Sequence, residues 1–389
     1  MSAERETLAK LACAAGELGA AHAAELARLD ETAAAKRALA LLGGSGLAAW
    51  SVPAAFGGAD AAPLASNTTV SVRALCAVRA ALAYHSAMLD VMFVMQALGS
   101  YALTRAADPA LAREALPRVA RGELCAAFAL TEPGAGSSLT DVALSARREE
   151  KGAGKRWRLD GHKTFISNAG IADFYTVLAK SSEEPRAFTM FHVPASAPGL
   201  TTERFEVLGP HPIGDVFFRD VVVEDSARLG EIGAGLELAL LVLARMRTSV
   251  AAAANGFARR ACDESRRHLA SRTQFGKPLS SFQGLAFDVA EMDVRLRAAE
   301  LLTEEAAAAV DRSARDGDAI LEVARAKLFA TENASWIADR AVQHFGGLGV
   351  KRGSVVEALF RDVRALRIYE GSSEVQTLIL AKELFRRVP

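Results

Sequence analysis

Near its C-terminal end, this 389-residue chain reads Arg367-Ile368-Tyr369-Glu370-Gly371-Ser372-Ser373-Glu374-Val375-Gln376. The segment places one carboxylate, Glu370, after two apolar residues and before a glycine, which lets backbone approach a ligand closely. Apolar neighbours disfavour the charged form of a carboxylate, so this setting favours Glu370 as a general base. A Glu-Gly pair at a helix end is equally typical of a helix C-cap, and the interpretation therefore depends on the rest of the chain.

Three further segments fit the same chemistry. They read Phe128-Ala129-Leu130-Thr131-Glu132-Pro133-Gly134-Ala135-Gly136-Ser137, Lys163-Thr164-Phe165-Ile166-Ser167-Asn168, and Arg272-Thr273-Gln274-Phe275-Gly276 with Gln283 beyond it. In their order and spacing, the four segments resemble the acyl-CoA dehydrogenase family of flavoproteins, and the likeness covers nearly the whole chain. The family usually has an aspartate directly after the serine of the first segment, where this chain has Ser138. We expect that departure to alter a structural hydrogen bond and to leave the chemistry intact.

Composition excludes several classes of protein. Lys+Arg and Asp+Glu both total 46, so the chain has no excess of basic residues that would favour binding to nucleic acid or to an anionic membrane. The N-terminal residues carry acids and resemble neither a secretory nor a mitochondrial leader. Four widely spaced cysteines argue against a zinc site or a disulfide framework and fit a reducing cytoplasm. Charges interrupt the apolar region 74–103, which is therefore interpreted as a buried helix pair and not as a membrane span.

The chain changes texture twice along its length. Apolar residues recur at helical spacing up to about residue 121, β-branched and aromatic runs follow, and from residue 234 only Pro278 and Pro389 could interrupt helices. The expected fold class is α+β, mostly α. It comprises an N-terminal helical domain over 1–125, a small, barrel-like antiparallel β-domain over 126–230 and a C-terminal four-helix bundle over 231–389. The same order is found in acyl-CoA dehydrogenases.

The resemblance implies FAD as the cofactor, bound non-covalently and without a dinucleotide-binding fingerprint, since both glycine-rich candidates lack the third glycine. Phe128, Leu130 and Thr131 are expected at the flavin pyrimidine, with Gly136 and Ser137 between the cofactor and the pantetheine arm of the substrate. Phe165 and Ile166 are expected against the ring, with the Ser167 hydroxyl near flavin N5. The remaining cofactor residues implied are Arg272, Gln274, Phe275, Gln283, Gln343, Gly347, Ser372 and Glu374.

Each of these segments also has a purely structural interpretation. Pro133-Gly134 can be the corner of an ordinary strand and turn, Phe165 can be a core residue of the β-domain, and Arg272 can be a solvated cation at a helix end. If the matches hold, Arg272 and its neighbours grip the FAD pyrophosphate and adenosine of an adjacent subunit, since a guanidinium pairs with phosphate in a bidentate manner. The protein is then an oligomer, and a homotetramer is expected.

Glu370 is the expected catalytic base, which removes the proton α to a thioester carbonyl while hydride leaves the β-carbon. Some family members carry the base just before an arginine on an earlier helix. Here Arg247 matches that arginine, and Met246 before it cannot accept a proton. The substrate-binding residues expected are Ser137, Arg247, Tyr84, Met88, Met95, Tyr369 and Gly371, although a methionine-rich run is also typical of core packing.

The leading hypothesis is therefore an FAD-dependent dehydrogenase that converts acyl-CoA to 2-enoyl-CoA in fatty acid metabolism and passes electrons to an electron-transfer flavoprotein. An acyl-carrier-protein thioester is the alternative substrate, because both carriers present the same phosphopantetheine arm. The chain offers a carrier protein a local group of arginines (Arg245, Arg247, Arg259 and Arg260), although such a run is usually a solvated helix face. Two competing hypotheses are a flavin oxidase or monooxygenase on the same scaffold and a non-catalytic flavoprotein.

Overall fold

The computed structural model describes residues 3–151, 154–182 and 187–386. By its internal contacts the chain forms two compact units, each assembled from separate stretches of sequence. The first unit comprises Met1–Ala21, Val72–Ala87 and Arg247–Pro389. The second comprises His22–Ser71 and Met88–Met246.

Helices account for most of the described residues. In chain order they are α1 (Ala3–Leu26), α2 (Glu31–Gly44), α3 (Val72–His85), α4 (Ala87–Ala106), α5 (Pro109–Ala120), α6 (Gly235–Met246), α7 (Thr248–Ser271), α8 (Gln283–Arg312), α9 (Ile320–Phe345), α10 (Val355–Arg364) and α11 (Ser373–Arg386). The strands are β1 (Ala126–Ala129), β2 (Ser145–Lys151), β3 (Gly154–Ser167), β4 (Phe174–Lys180), β5 (Phe188–Pro194), β6 (Leu200–Arg204), β7 (Ile213–Glu224), β8 (Arg228–Leu229), β9 (Thr273–Gln274) and β10 (Lys277–Pro278).

The first unit is a helical bundle whose long members are α7, α8 and α9. All three pack on one another, α3 packs on α7 and α8, and α10 and α11 pack on α9. Small side chains make the close contact between α3 and α7 possible: a Cβ on Gly256 would lie 2.3 Å from the Ala80 carbonyl oxygen. The predicted helical bundle is confirmed, and it includes α3 from the N-terminal part of the chain.

The second unit is built on a sheet of eight strands in the order β6-β7-β3-β2-β4-β5-β8, with β1 beside β4. The predicted β-domain is confirmed, but the expectation of purely antiparallel pairing is wrong. Strand β1 runs parallel to β4 from Ala126↔Phe174 to Ala129↔Val177, and β2 meets β4 in one parallel pair. The β2–β3 hairpin lies between β1 and β4 in the sequence, and this long connection allows the chain to return in the same direction.

Helix α4 is long and apolar enough to cross a membrane by length and composition, yet 94% of its 18-residue window is buried inside the protein. The predicted helix pair in the apolar region is confirmed as α3 and α4. Within the second unit, α6 packs on β4 and β5. The second unit contains residues on both sides of the predicted domain boundaries at 125 and 230. The three-domain division stays a prediction.

Candidate active site

Glu370 lies in the loop between α10 and α11, and its backbone has a left-handed φ of 53°. Gly371 follows with a φ of 90°. A left-handed conformation costs a residue other than glycine roughly 1–3 kcal/mol, so the surrounding structure must hold it in place. At Gly371 a side chain is excluded as well, because a Cβ there would lie 2.6 Å from Nε2 of Gln376.

Three successive carbonyl groups of this loop are held by side-chain donors. The buried amine of Lys327, on α9, donates to the carbonyl oxygens of Tyr369, at 3.0 Å, and Gly371. Between them, Nε of Arg247 donates to the Glu370 carbonyl oxygen at 2.7 Å. Hydrogen bonds from charged donors are among the stronger ones in proteins, so the loop has little freedom to change its backbone angles.

The apolar environment that the sequence predicts for Glu370 is wrong, because its neighbours are charged. Ile368 is exposed, whereas the Glu370 carboxylate interacts electrostatically with both Arg247 and Lys327. Burial lowers the pKa of Lys327 to about 8, and the acidic neighbours, Glu370 first among them, oppose that shift. Burial also lowers the pKa of Arg247, again opposed by Glu370. Nearby positive charge favours the carboxylate form, which is the form that accepts a proton.

In the second unit, the turn after β1 is organised by a buried ion pair between Lys163 and Glu132. The Lys163 amine lies 2.8 Å from the Glu132 carboxylate and donates to the Leu130 carbonyl oxygen at 2.9 Å. Both side chains are almost completely buried, and Glu132 also accepts the amides of Ala143 and Leu144. Burial lowers the pKa of Lys163 to about 8, with Glu132 opposing the shift. The structure thereby joins the first and second predicted cofactor segments.

Phe165 is presented to solvent by a β-bulge. Strand β3 pairs Lys163 with Val216 and Ile166 with Gly214, so two residues of β3 face one of β7. Phe165 takes a φ of 54° in this bulge, and its ring is 60% exposed. The interpretation of Phe165 as a core residue is therefore wrong. Bulges often re-aim a side chain beside a functional site, and this one presents an aromatic ring to solvent.

Ser167, at the end of β3, pairs with a histidine that the motifs did not include. Its hydroxyl lies 2.7 Å from Nε2 of His211, and burial lowers the pKa of His211 to about 4. His211 is in turn held by its backbone amide, which donates to Glu31 at 2.9 Å. A neutral imidazole can donate to the hydroxyl oxygen, which leaves the hydroxyl hydrogen for a ligand.

The third predicted segment forms an exposed hairpin of β9 and β10 between α7 and α8. Phe275 and Gly276 both have left-handed φ values, of 52° and 77°, as a tight two-residue hairpin requires. The Phe275 ring at its tip is 91% exposed. Arg272, Gln274 and Gln283 are exposed as well.

The adenine-side residues predicted at the end of α9 lie at the same end of the bundle as this hairpin. His268 near the end of α7 stacks on Phe345 with ring centroids 4.1 Å apart, and His344 lies 3.3 Å from Asp288 near the start of α8. Gln343 and Gly347 are exposed beside these contacts. The structure therefore brings together Arg272, Gln274, Phe275, Gln283, Gln343 and Gly347.

Glu370 belongs to the opposite end of α7, because its carbonyl is bound by Arg247, which directly precedes that helix. Helix α7 has 24 residues, which corresponds to about 36 Å at 1.5 Å per residue. Ser372 and Glu374 directly follow the Glu370 loop. Within one chain the structure therefore does not bring them close to the Arg272 hairpin.

The other predicted residues occupy varied positions. Met88 and Met95 are buried, and the Tyr84 hydroxyl donates to Asp263 at 2.8 Å. Phe128, Leu130 and Ile166 are buried, Thr131 and Tyr369 are partly buried, and Gly136 and Ser137 are exposed.

The sequence motifs missed Lys327 and His211 as parts of these sites. Lys327 interrupts the apolar stripe of α9, where Val323, Ala324 and Ala330 are buried. A lysine at such a position is a usable signal, because a buried amine requires partners. His211 lies between two prolines and gave no comparable signal.

The sequence matches three family descriptions in succession. They are "Acyl-CoA dehydrogenase, N-terminal domain" over residues 3–123, "Acyl-CoA dehydrogenase, middle domain" over 127–221 and "Acyl-CoA dehydrogenase, C-terminal domain" over 233–385.

Individual relatives agree with this match. The 3-(aryl)acrylate reductase of Clostridium sporogenes is 39% identical over 272 residues, which are 68% of this chain and 70% of the reductase. Cyclohexane-1-carbonyl-CoA dehydrogenase of Geobacter metallireducens is 33% identical over 352 residues, which are 90% of this chain and 89% of that enzyme. The solved structure of butyryl-CoA dehydrogenase from Megasphaera elsdenii is similar with a TM-score of 0.88 and 27% identity, and the match covers 99% of each chain.

Proposed function

This chain belongs to the acyl-CoA dehydrogenase family of oxidoreductases, and we propose that it binds FAD and converts an acyl-CoA to its 2-enoyl-CoA. The observation that carries the proposal is the Glu370 loop. It presents a carboxylate on left-handed backbone that Lys327 and Arg247 fix from the inside. Removal of an α-proton requires a base in a defined position, and this loop supplies one.

In the proposed reaction, Glu370 takes the proton from the α-carbon of the thioester. The charges of Lys327 and Arg247 interact with the carboxylate and favour its ionised form, which is the form that acts as a base. The backbone N–H of Glu370 is proposed to bind the thioester oxygen and to stabilise the negative charge that develops there. When bound, FAD supplies the acceptor for the hydrogen that leaves the β-carbon as hydride.

The residues of the second unit fit an FAD ring system. The exposed ring of Phe165 offers an aromatic surface for stacking, and the Ser167 hydroxyl has a partner in His211 that can orient it. The Lys163–Glu132 pair holds the segment that carries Leu130 and Thr131. We propose that this segment and the Phe165 bulge bind the ring and that Gly136 and Ser137 contact the pantetheine arm.

We propose that the pyrophosphate and adenosine of FAD are bound by the Arg272 hairpin of a neighbouring subunit. Two exposed apolar surfaces support association into a homotetramer. One is the Phe275 ring, and the other is the stripe of Phe287, Val294 and Leu301 along α8, which recurs every seven residues on one helix face. The length of α7 separates this hairpin from Glu370 of its own chain, which fits a site completed by another subunit.

Coenzyme A is the carrier we propose, because the arginines that could attract an acidic carrier protein already have partners. Arg245 donates to the Val70 carbonyl oxygen and Arg247 to that of Glu370. Arg259 pairs with Glu300, and Arg260 pairs with Glu264. Arg245 and Arg247 are buried, and Arg259 and Arg260 are paired with carboxylates, so this group offers little free positive charge to an acidic surface. An electron-transfer flavoprotein as acceptor, a role in fatty acid metabolism and a cytoplasmic location stay predictions.

Reduction of a conjugated double bond is the second candidate function. The Clostridium sporogenes relative is named as a 3-(aryl)acrylate reductase. The same side chains serve the reverse direction: a protonated Glu370 can return its proton to the α-carbon, and reduced FAD, when bound, would supply the hydride for the β-carbon.

One experiment separates these activities. The purified protein is heated, the released chromophore is identified, and the FAD-loaded protein is assayed with a panel of acyl-CoA thioesters and a redox dye. We expect FAD and dye reduction with at least one acyl-CoA. A parallel assay offers cinnamate, cinnamoyl-CoA and a reduced dye. Turnover in that direction alone would establish the reductase, and a colourless protein that takes up no FAD would contradict both functions.

A further inference from the structure

We propose that Lys327 is a positioning residue for catalysis, which holds the carboxylate of Glu370 in its productive place by binding the carbonyl groups on either side of it. This inference rests on the proposed function for its catalytic meaning, whereas the contacts that carry it belong to the chain itself.

The first observation is the geometry of the amine. Lys327 is fully buried on α9, and its nitrogen reaches the carbonyl oxygens of Tyr369, at 3.0 Å, and Gly371. These two residues flank Glu370 directly. The Tyr369 carbonyl belongs to the peptide group directly before Glu370, and the Gly371 carbonyl belongs to the second peptide group after it. The group between them carries the Glu370 carbonyl, which Arg247 binds. The amine therefore fixes the backbone on both sides of the Glu370–Gly371 peptide, and this backbone sets the direction of the Glu370 side chain.

The second observation is that α9 holds the same loop a second time. Glu332, five residues after Lys327, accepts from Arg367 at 2.7 Å and from the Ser373 hydroxyl. One helix therefore binds the loop at its entrance, at its centre and at its exit. The outer contacts fix the ends, and the Lys327 contacts fix the strained centre.

The third observation is the left-handed backbone of Glu370, whose conformational cost these contacts offset. Glu370 occupies left-handed backbone, which an unrestrained glutamate would leave for a more favourable region. A buried amine is itself costly and is retained only where its hydrogen bonds are satisfied. A methionine of similar length would fill this space with an apolar chain, so bulk packing does not account for a lysine here.

The charged groups around the amine agree with this role. Glu370, Glu332 and Glu374 attract its charge, whereas Arg247 opposes it. Three acidic side chains and one basic side chain favour the ammonium form, although burial draws its pKa down to about 8.

The test compares Lys327→Met and Lys327→Gln with Lys382→Met, which removes an exposed lysine of α11 in the same unit. Each holoprotein is analysed by hydrogen exchange and mass spectrometry of a peptide that covers residues 367–376, and kcat and KM are measured with the best acyl-CoA. Loss of two charge-assisted hydrogen bonds should accelerate exchange in this peptide by about tenfold to hundredfold. The value of kcat per bound FAD should fall by about 10²-fold with a much smaller change in KM.

The Gln side chain is shorter and can reach at most one of the two carbonyls, so it carries the test if the Met variant is not recovered folded. Unchanged exchange in the 367–376 peptide of the folded variants would overturn the inference. So would a wild-type kcat per bound FAD beside a lowered melting temperature, since that result describes a purely structural lysine. A third result would separate the two proposals. If no acyl-CoA reduced the flavin of the wild-type protein but loop exchange were faster in the variants, the proposed function would be contradicted. The contact role of Lys327 would still stand.

Discussion

Replacement of Lys163 by methionine should destabilise the second unit by about 3–4 kcal/mol at pH 7. The substitution removes the amine that lies 2.8 Å from the Glu132 carboxylate and leaves that carboxylate buried with the amides of Ala143 and Leu144 as its partners. Removal of one member of a buried ion pair typically costs about 3–5 kcal/mol.

The assay is urea unfolding and differential scanning calorimetry at pH 7, with Lys155→Met as the matched control. Lys155 is exposed on the same strand, β3, and its replacement should change stability by about 0.5 kcal/mol or less. At roughly 2–4 °C per kcal/mol, Lys163→Met should lower the melting temperature by about 6–16 °C. A deficit below about 1 kcal/mol would refute the reasoning about this ion pair.

Two further predictions concern the second unit. Phe165→Ala should weaken FAD binding by up to about tenfold, as measured by flavin fluorescence, because an exposed stacking surface is lost. The free energy of unfolding should change little. Unaltered FAD affinity would argue against the stacking role. Burial lowers the pKa values of His192 and His211 to about 4, below the ordinary value of about 6.5. Between pH 4 and pH 6.5 the unfolded chain therefore binds more protons than the folded protein. The free energy of unfolding should consequently decline as the pH falls from 6.5 toward 4. In urea titrations His211→Gln should reduce that decline, and an undiminished decline would mean that His211 does not contribute to it.

The elements that the sequence predicts well are those set by local pattern. Helix α2 and strands β4 and β5 lie where apolar spacing and β-branched runs place them, and the scarcity of proline after residue 234 accounts for the long helices of the bundle. The parallel pairing of β1 with β4 could not be predicted in this way. It joins residues 48 positions apart, as in Ala126↔Phe174, and depends on the path of the intervening hairpin.

The candidate site shows the same limit. The motif around Glu370 gives the residue but not its electrostatic setting, because Lys327 lies 42 and 44 positions before the two carbonyls that it binds. Phe165 has an apolar side chain within a strand, and sequence alone cannot distinguish a core position from an exposed one. The bulge that decides the question requires the register of β3 against β7.

The central claim is that Glu370 removes the substrate α-proton, and flavin reduction in Glu370→Gln tests it most directly. Anaerobic stopped-flow absorbance follows reduction of the bound FAD by the best acyl-CoA, with Glu305→Gln on the exposed face of α8 as the control. The amide keeps the size of the side chain but cannot accept the proton. We expect the variant to retain FAD and fold and to reduce its flavin about 10²–10⁴-fold more slowly than the wild type and the control. Reduction at the wild-type rate would show that another group is the base and would contradict the assignment.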